Sequence, residues 1–131
     1  MVKSSPAKPD LAAYETVTRL KPEELVDELR RRLGVRLVAL IAGVKETRAV
    51  HEWAAGSRDI RNGDALERLR LAYRALYLIT TRDSDQVAQA WFQGLNPKLG
   101  DRSPARLLRD GVVDEVGPDV LAAARAFAAV G

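Results

Sequence analysis

The sequence lacks the residues on which most enzyme and metal sites are built. It has no cysteine and a single histidine, His51, so a disulfide framework, a thiolate metal site and a cluster of histidine ligands are excluded. It contains no glycine-rich phosphate loop, no nucleophile elbow and no pair of carboxylates set beside the histidine. The carboxylates are scattered among arginines, which is typical of solvated helix surfaces. We therefore expect a protein that is not an enzyme, with no catalytic residue, cofactor or metal.

Aromatic residues, alternating β-branched runs and long apolar stretches are also scarce. Aromatic residues make up 5% of the 131 residues, and the apolar residues are mostly alanine, which favours closely packed helices over a thick β-sandwich. No apolar run reaches the length of a membrane span, and the N-terminus has no apolar signal core. The composition therefore predicts an all-α protein with one core, no membrane partner and a cytoplasmic location.

Charge is plentiful, and it is divided unevenly along the chain. Residues 20–82 contain 13 Lys and Arg against 9 Asp and Glu, whereas residues 83–131 contain 5 against 7. A basic N-terminal half is suited to contact phosphate groups, and a slightly acidic C-terminal half suggests a different partner. The alternative explanation is that the arginines only solvate exposed helices.

Helix start and stop signals divide the chain into three parts. Residues 1–20 are predicted to form a flexible arm and a short helix, whose apolar stripe consists of Leu11, Tyr14, Val17 and Leu20. Residues 21–62 are predicted to form a helix-turn-helix part, and residues 63–131 a long connecting helix and a small helical domain. The connecting helix carries a broad apolar stripe, which indicates burial on two sides and favours a homodimer.

The helix-turn-helix prediction rests on two short helices, 35–42 and 45–55, that are joined through Gly43. The predicted DNA contacts are Lys45, Thr47, Arg48 and His51 on the second helix, and Arg58 and Arg61 just after it. Further contacts to the DNA backbone are predicted for Arg30, Arg31, Arg32 and Arg36. Glu46 and Glu52 weaken this positive face. A helix-turn-helix that serves only as a packing unit, without contacting DNA, is the alternative.

A compact motif occupies residues 90–111, which read AWFQGLNPKLGDRSPARLLRDG. In this motif Trp91 and Leu95 are predicted to anchor one helix, Asn96-Pro97 to turn the chain, and Leu99 to enter the core. The next helix is predicted to begin at Ser103-Pro104, to be packed by Leu107 and Leu108, and to end at Gly111. The last segment, 112–130, is predicted to be interrupted at Gly117-Pro118.

This motif resembles the toxin-binding domain of Xre/MbcA/ParS antitoxins, whose pattern is a Trp-aromatic pair, Asn-Pro, Leu-Gly, Ser/Lys-Pro, Leu-Leu and Gly. The likeness extends upstream to Gly43-Val44 and to the helix end at Trp53 and Gly56, so that it covers residues 22–130. Two departures fall in the helix-turn-helix part. The spacing from Val44 to Trp53 is one residue longer than in many family members, and Ile60 stands near the place of a proline.

The resemblance implies the antitoxin of a type II toxin-antitoxin system, whose partner is a RES-domain toxin that degrades NAD. Such antitoxins obstruct the NAD pocket with their C-terminal domain and often bind operator DNA to repress their own operon. The residues expected to contact the toxin are Asn96, Lys98, Arg102, Arg106, Arg109 and the end of the chain near Arg125 and Phe127. Arg102, Arg106 or Arg109 could occupy the phosphate subsite of the pocket. The alternative function is a solitary helix-turn-helix regulator without a toxin.

Overall fold

The computed structural model describes residues 9–130, and within them the chain is helical. The helices are α1 (Pro9–Arg19), α2 (Pro22–Leu33), α3 (Val35–Ala42), α4 (Thr47–Ala55), α5 (Gly63–Thr80), α6 (Asp85–Gln93), α7 (Pro104–Asp110) and α8 (Val113–Val130). A 3-10 turn, Pro97–Leu99, lies between α6 and α7, and the described range contains no strand beyond an isolated bridge between Asn96 and Arg102. The predicted all-α class is confirmed. The predicted arm lies outside the described residues, except for Pro9, which begins α1.

The core is organised around α5, which packs against α1, α2, α3 and α8. Nine of its 18 residues are buried, among them Leu69, Tyr73 and Leu76. Burial of the broad stripe is thus confirmed, but the helices that cover it belong to the same chain. The stripe is therefore not free to form a dimer surface, and that reason for predicting a homodimer is wrong. The buried side chains form one cluster from Val17 to Ala124, so the division between the helix-turn-helix part at 21–62 and the part at 63–131 stays a prediction.

Helices α3 and α4 are joined by a turn that begins at Gly43. This glycine has a left-handed backbone, with φ of 88°, and its N–H donates to the carbonyls of Ala39 and Leu40 at 3.0 and 3.2 Å. A side chain would strain this conformation, which explains the glycine. Helix α4 begins at Thr47, two residues later than predicted, because Glu46 has an extended backbone. Lys45 consequently lies in the turn and not on the helix.

The motif at 90–111 folds largely as predicted. Leu99, Leu107 and Leu108 are buried in the core. The side-chain oxygens of Asn96 and Ser103 accept backbone N–H groups at the starts of the 3-10 turn and of α7, which satisfies donors that have no partner inside a helix. These caps hold the loop between α6 and α7 in a defined conformation.

The prediction that Leu95 anchors α6 is wrong. Gly94 has an extended backbone and ends α6, so Leu95 leaves the helix and its side chain is 75% exposed. Phe92 occupies the buried position instead and is fully enclosed. The Trp91 and Phe92 rings meet edge to face, with centroids 5.1 Å apart, and together they anchor α6.

Helix α8 runs without a break through Gly117 and Pro118, where an interruption was predicted. Pro118 lies in the second turn, so α8 loses a single backbone hydrogen bond there, to the carbonyl of Asp114. A Cβ on Gly117 would lie 3.0 Å from Leu71, so glycine lets α8 approach α5 closely. Neither α8 nor any other helix in the described residues combines the length and the apolar character needed to cross a bilayer.

Helix α1 contacts α5 through a different face from the one predicted. Ala13 and Val17, four residues apart, are buried, whereas Leu11 and Tyr14 are about half exposed. The predicted stripe is therefore wrong at positions 11 and 14. The Tyr14 ring lies under the guanidinium carbon of Arg74, which is 5.3 Å from the ring centroid.

Candidate functional site

Two of the predicted DNA-contacting arginines share one carboxylate, and we call Arg48, Glu52 and Arg58 the α4 face. Arg48 Nε and Arg58 Nη1 each lie 3.1 Å from an oxygen of Glu52. Arg48 and Glu52 are one helical turn apart, and the chain after α4 brings Arg58 back to the same carboxylate. The hydrogen bond from Arg58, followed by that from Arg48, lowers the pKa of Glu52 from its ordinary value. Glu52 therefore neutralises part of the predicted positive surface.

Most of the predicted DNA contacts are brought together by the fold. Adjoining hollows that share Val44 are lined by Lys45, Thr47, Arg48, Arg58 and Arg61. His51 lines none of these hollows, and its Nδ1 lies 3.3 Å from Nη1 of Arg30 on α2. Five of the six predicted residues thus belong to one surface.

One of these hollows also contains side chains of α7, which were assigned above to the toxin contact. We call this hollow the α7 groove. It has a volume of about 490 Å³ and is lined by Arg36, Ala39, Leu40, Val44, Lys45, Thr47, Arg106 and Arg109. The groove exists because α7 packs against α3. Packing therefore unites two sets of cations that are far apart in the sequence.

Arg109 fastens α7 to α3. Its Nη1 donates a hydrogen bond of 2.9 Å to the carbonyl of Leu40, and its side chain is half-buried. Leu40 lies in the last turn of α3, where the carbonyls carry the negative end of the helix dipole and favour a cation. The guanidinium of Arg109 thus already has a partner within the chain, and its contact with a toxin stays a prediction.

The other predicted toxin contacts occupy two further places. Asn96, Lys98 and Arg102 lie on the loop between α6 and α7, where Lys98 and Arg102 are exposed. Asn96 is half-buried, and its side-chain oxygen accepts the N–H of Lys98. Arg125 on α8 lies 3.3 Å from Asp10 on α1 and so links the first helix to the last. The six residues thus lie on three parts of the fold, namely the loop, α7 and α8.

Large apolar side chains reach the surface near this loop. Leu95 is 75% exposed, and Phe127 on α8 is 36% exposed. The Phe127 ring lies against Trp91, with centroids 6.5 Å apart, and Leu95 follows Trp91 by four residues. Leu95, which follows the end of α6, and Phe127 on α8 are therefore exposed apolar groups that accompany the cations of the loop, a combination that periodicity had hidden by assigning Leu95 to the core.

The arginines at the end of α2 already have acidic partners. Arg30 and Arg31 both pair with Asp27, and the hydrogen bond from Arg30 is the main cause that lowers the pKa of Asp27. Arg32 pairs with Glu28 on its own helix and with Asp85 on α6. The spacing of three or four residues reveals the partners on α2, whereas only the fold reveals Asp85.

The described residues contain no group of three or more His, Cys, Asp or Glu side chains arranged to hold a metal ion. No family model, curated protein or solved structure matches the chain. The likeness to Xre/MbcA/ParS antitoxins therefore stays a resemblance, based on the motif at 90–111 and on the residues around Gly43 and Trp53.

Proposed function

We propose that this chain is an antitoxin that binds a RES-type, NAD-degrading toxin through its C-terminal helices and binds operator DNA through α3 and α4. The observation that carries the toxin contact is the exposure of Leu95 and Phe127 beside the capped loop of the motif. Protein interfaces combine an apolar, aromatic centre with a polar rim, and Lys98 and Arg102 on the loop would supply such a rim. The buried Trp91 and Leu99 hold this surface in place from below.

Co-expression of the full chain with the RES-type toxin encoded nearest to it tests the proposal. Growth, cellular NAD and co-purification are measured. The unaltered chain is expected to restore growth and NAD and to form a stable complex. Leu95→Asp and Phe127→Asp are each expected to weaken the complex at least about tenfold, since each would place an unpaired charge in the apolar centre of the interface.

Val112→Asp is the matched control for these variants. Val112 is also exposed, at 61%, but it precedes the first turn of α8, and Phe127 lies about 20 Å away along this helix. It is expected to leave the complex unchanged. The proposal fails if the unaltered chain neither restores growth nor co-purifies, or if the variants at 95 and 127 behave like the variant at 112.

Arg102 is the best candidate for an arginine that enters the NAD pocket of the toxin. Its side chain is exposed on the loop that follows Leu95, whereas Arg106 and Arg109 lie in the α7 groove. Arg102→Ala is therefore expected to reduce neutralisation of the toxin more than alanine at 106 or 109. Unchanged neutralisation in all three variants would rule out an arginine in the phosphate subsite.

A solitary DNA-binding regulator is the second candidate function. It is favoured by the exposed Lys45, Arg48, Arg58 and Arg61 around the turn and the end of α4. The absence of a RES-type gene beside this one, together with specific binding to the upstream DNA, would support the regulator. A neighbouring RES-type gene whose product co-purifies with the chain would support the antitoxin.

A further inference from the structure

The α7 groove concentrates positive charge without an acidic partner. Arg36, Lys45 and Arg106 are exposed, and none of the groove's four cations forms an ion pair with a carboxylate of residues 9–130. Asp110 follows Arg109 in the sequence but does not line the groove. Like charges around one hollow repel each other and attract an anion. The groove is therefore suited to bind an anionic ligand.

The lining of the groove is unlike the centre of a protein interface. Its apolar members are Ala39, which is buried, and Leu40 and Val44, which are half-buried. A ligand would consequently meet a mainly cationic surface that includes a lysine, whereas the centres of protein interfaces are apolar, rich in aromatic residues and poor in lysine. This chemistry matches a polyanion better than a partner protein.

The position of the groove beside α4 identifies the kind of polyanion. Lys45 and Thr47, at the start of α4, line the groove, and Val44 and Lys45 also line the adjoining hollow that contains Arg48. In helix-turn-helix proteins the first residues of the second helix meet base edges in the major groove, while cations around it contact phosphates. A duplex that meets α4 in this way would pass its backbone along the α7 groove.

We infer that the α7 groove binds the phosphodiester backbone of duplex DNA, with Arg36 and Arg106 holding phosphates. Helix α7 then belongs to the DNA-binding surface, although the motif that contains it was expected to bind only the toxin. Arg109 positions α7 for this contact through its hydrogen bond to Leu40. The inference rests on the DNA-binding half of the proposed function and is independent of the toxin contact.

The test measures binding of the full chain to a fluorescein-labelled duplex of mixed sequence, by fluorescence anisotropy at several salt concentrations. Arg36→Gln and Arg106→Gln are each expected to weaken binding roughly 2- to 5-fold. Each is also expected to reduce the slope of log affinity against log salt by about one, because one phosphate contact is lost. Since both side chains are exposed, circular dichroism is expected to show unchanged folding.

Arg82→Gln is the matched control, because it removes the same charge from an exposed arginine that neither lines the groove nor belongs to the proposed toxin contact. It is expected to leave the affinity and the salt slope near those of the unaltered chain. If Arg36→Gln and Arg106→Gln match the control while the unaltered chain binds the duplex, the α7 groove does not bind DNA. DNA binding through α4 then remains as proposed. If the unaltered chain binds no duplex, the DNA-binding half of the proposed function fails as well. Loss of toxin co-purification in Arg106→Gln with unchanged DNA binding would assign α7 to the toxin and overturn the inference.

Discussion

The α4 face and the α7 groove are built from similar side chains but differ in how their charge is compensated. On the α4 face, Arg48 and Arg58 both donate to Glu52. In the α7 groove, Arg36 and Arg106 have no carboxylate partner among the described residues. The two regions share Val44 and Lys45 in their adjoining hollows, so they present one basic surface whose two ends carry different amounts of free charge.

This difference shows that the number of arginines in a segment does not measure its attraction for phosphate. The exposed ion pairs of the α4 face contribute little to folding, because water and salt screen them. The Glu52 carboxylate nevertheless cancels positive charge that a phosphate would otherwise meet. Because salt screens charges, only groups within about 10 Å of the phosphate act on it appreciably. Residues 20–82 carry more net positive charge than residues 83–131. Helix α7 belongs to the second segment, yet it supplies cations without a carboxylate partner to the surface around α4.

The largest expected effect comes from removing the packing that creates the α7 groove. Leu108→Ala deletes a fully buried side chain of α7 and is expected to lower the free energy of unfolding by about 2–5 kcal/mol. Denaturant unfolding measures this change. Arg106→Ala, on the exposed side of the same helix, is the control and is expected to change the free energy by less than about 0.5 kcal/mol. Equal stability of the two variants would mean that α7 is not held by the core.

A smaller loss of stability is expected from Arg109→Ala, which removes the hydrogen bond to Leu40. We expect the free energy of unfolding to fall by about 1 kcal/mol. The loss stays modest because the Leu40 carbonyl also accepts the N–H of Gly43 at 3.2 Å. The same denaturant measurement applies, with Arg106→Ala again as the reference. A change no larger than that of the reference would show that the hydrogen bond does not fasten α7.

Removing the carboxylate of the α4 face should leave its two arginines without an acidic partner, as the arginines of the α7 groove are. Glu52→Gln frees Arg48 and Arg58, and the affinity for duplex DNA is expected to rise roughly 2- to 5-fold at moderate salt. Anisotropy measures the affinity, and Glu115→Gln, an equal change of charge on the exposed first turn of α8, is the control. An equal rise in both variants would indicate an effect of net charge alone.

The smallest expected effect is the titration of Glu52 itself. Because its pKa is lowered in the folded protein, the contacts of Glu52 with Arg58 and Arg48 are complete above the ordinary pKa of 4.5 and are lost as the pH falls through the lower folded pKa. Carbon-detected NMR of the carboxyl group measures this pKa. Arg58→Gln is expected to raise it towards 4.5, and Arg48→Gln to raise it less, since the hydrogen bond from Arg58 is the larger cause. The reverse order would contradict the geometry of the α4 face.

Much of the local structure could be predicted because its causes are local. Pro22 and Gly34 mark the ends of α2, Gly43 supplies the left-handed turn before α4, and Ser103 caps α7. The predictions failed where a neighbouring helix decides the outcome. Ala13 is buried in place of larger residues of α1 because of how this helix meets α5. The failure at Pro118 has a different cause, since α8 continues through this residue with the loss of only one backbone hydrogen bond.

By itself the sequence determined the all-α class, the approximate helix bounds and the caps of the motif at 90–111, because helix propensity and capping act within a few residues. Only the tertiary structure decided that the stripe of α5 is covered by the chain's own helices and that Leu95 is exposed. The tertiary structure also brings Arg106 beside Arg36, and sequence spacing cannot reveal this, because the contact arises from the packing of α7 against α3. Charge along a chain is local information, whereas charge on a surface depends on which helices meet.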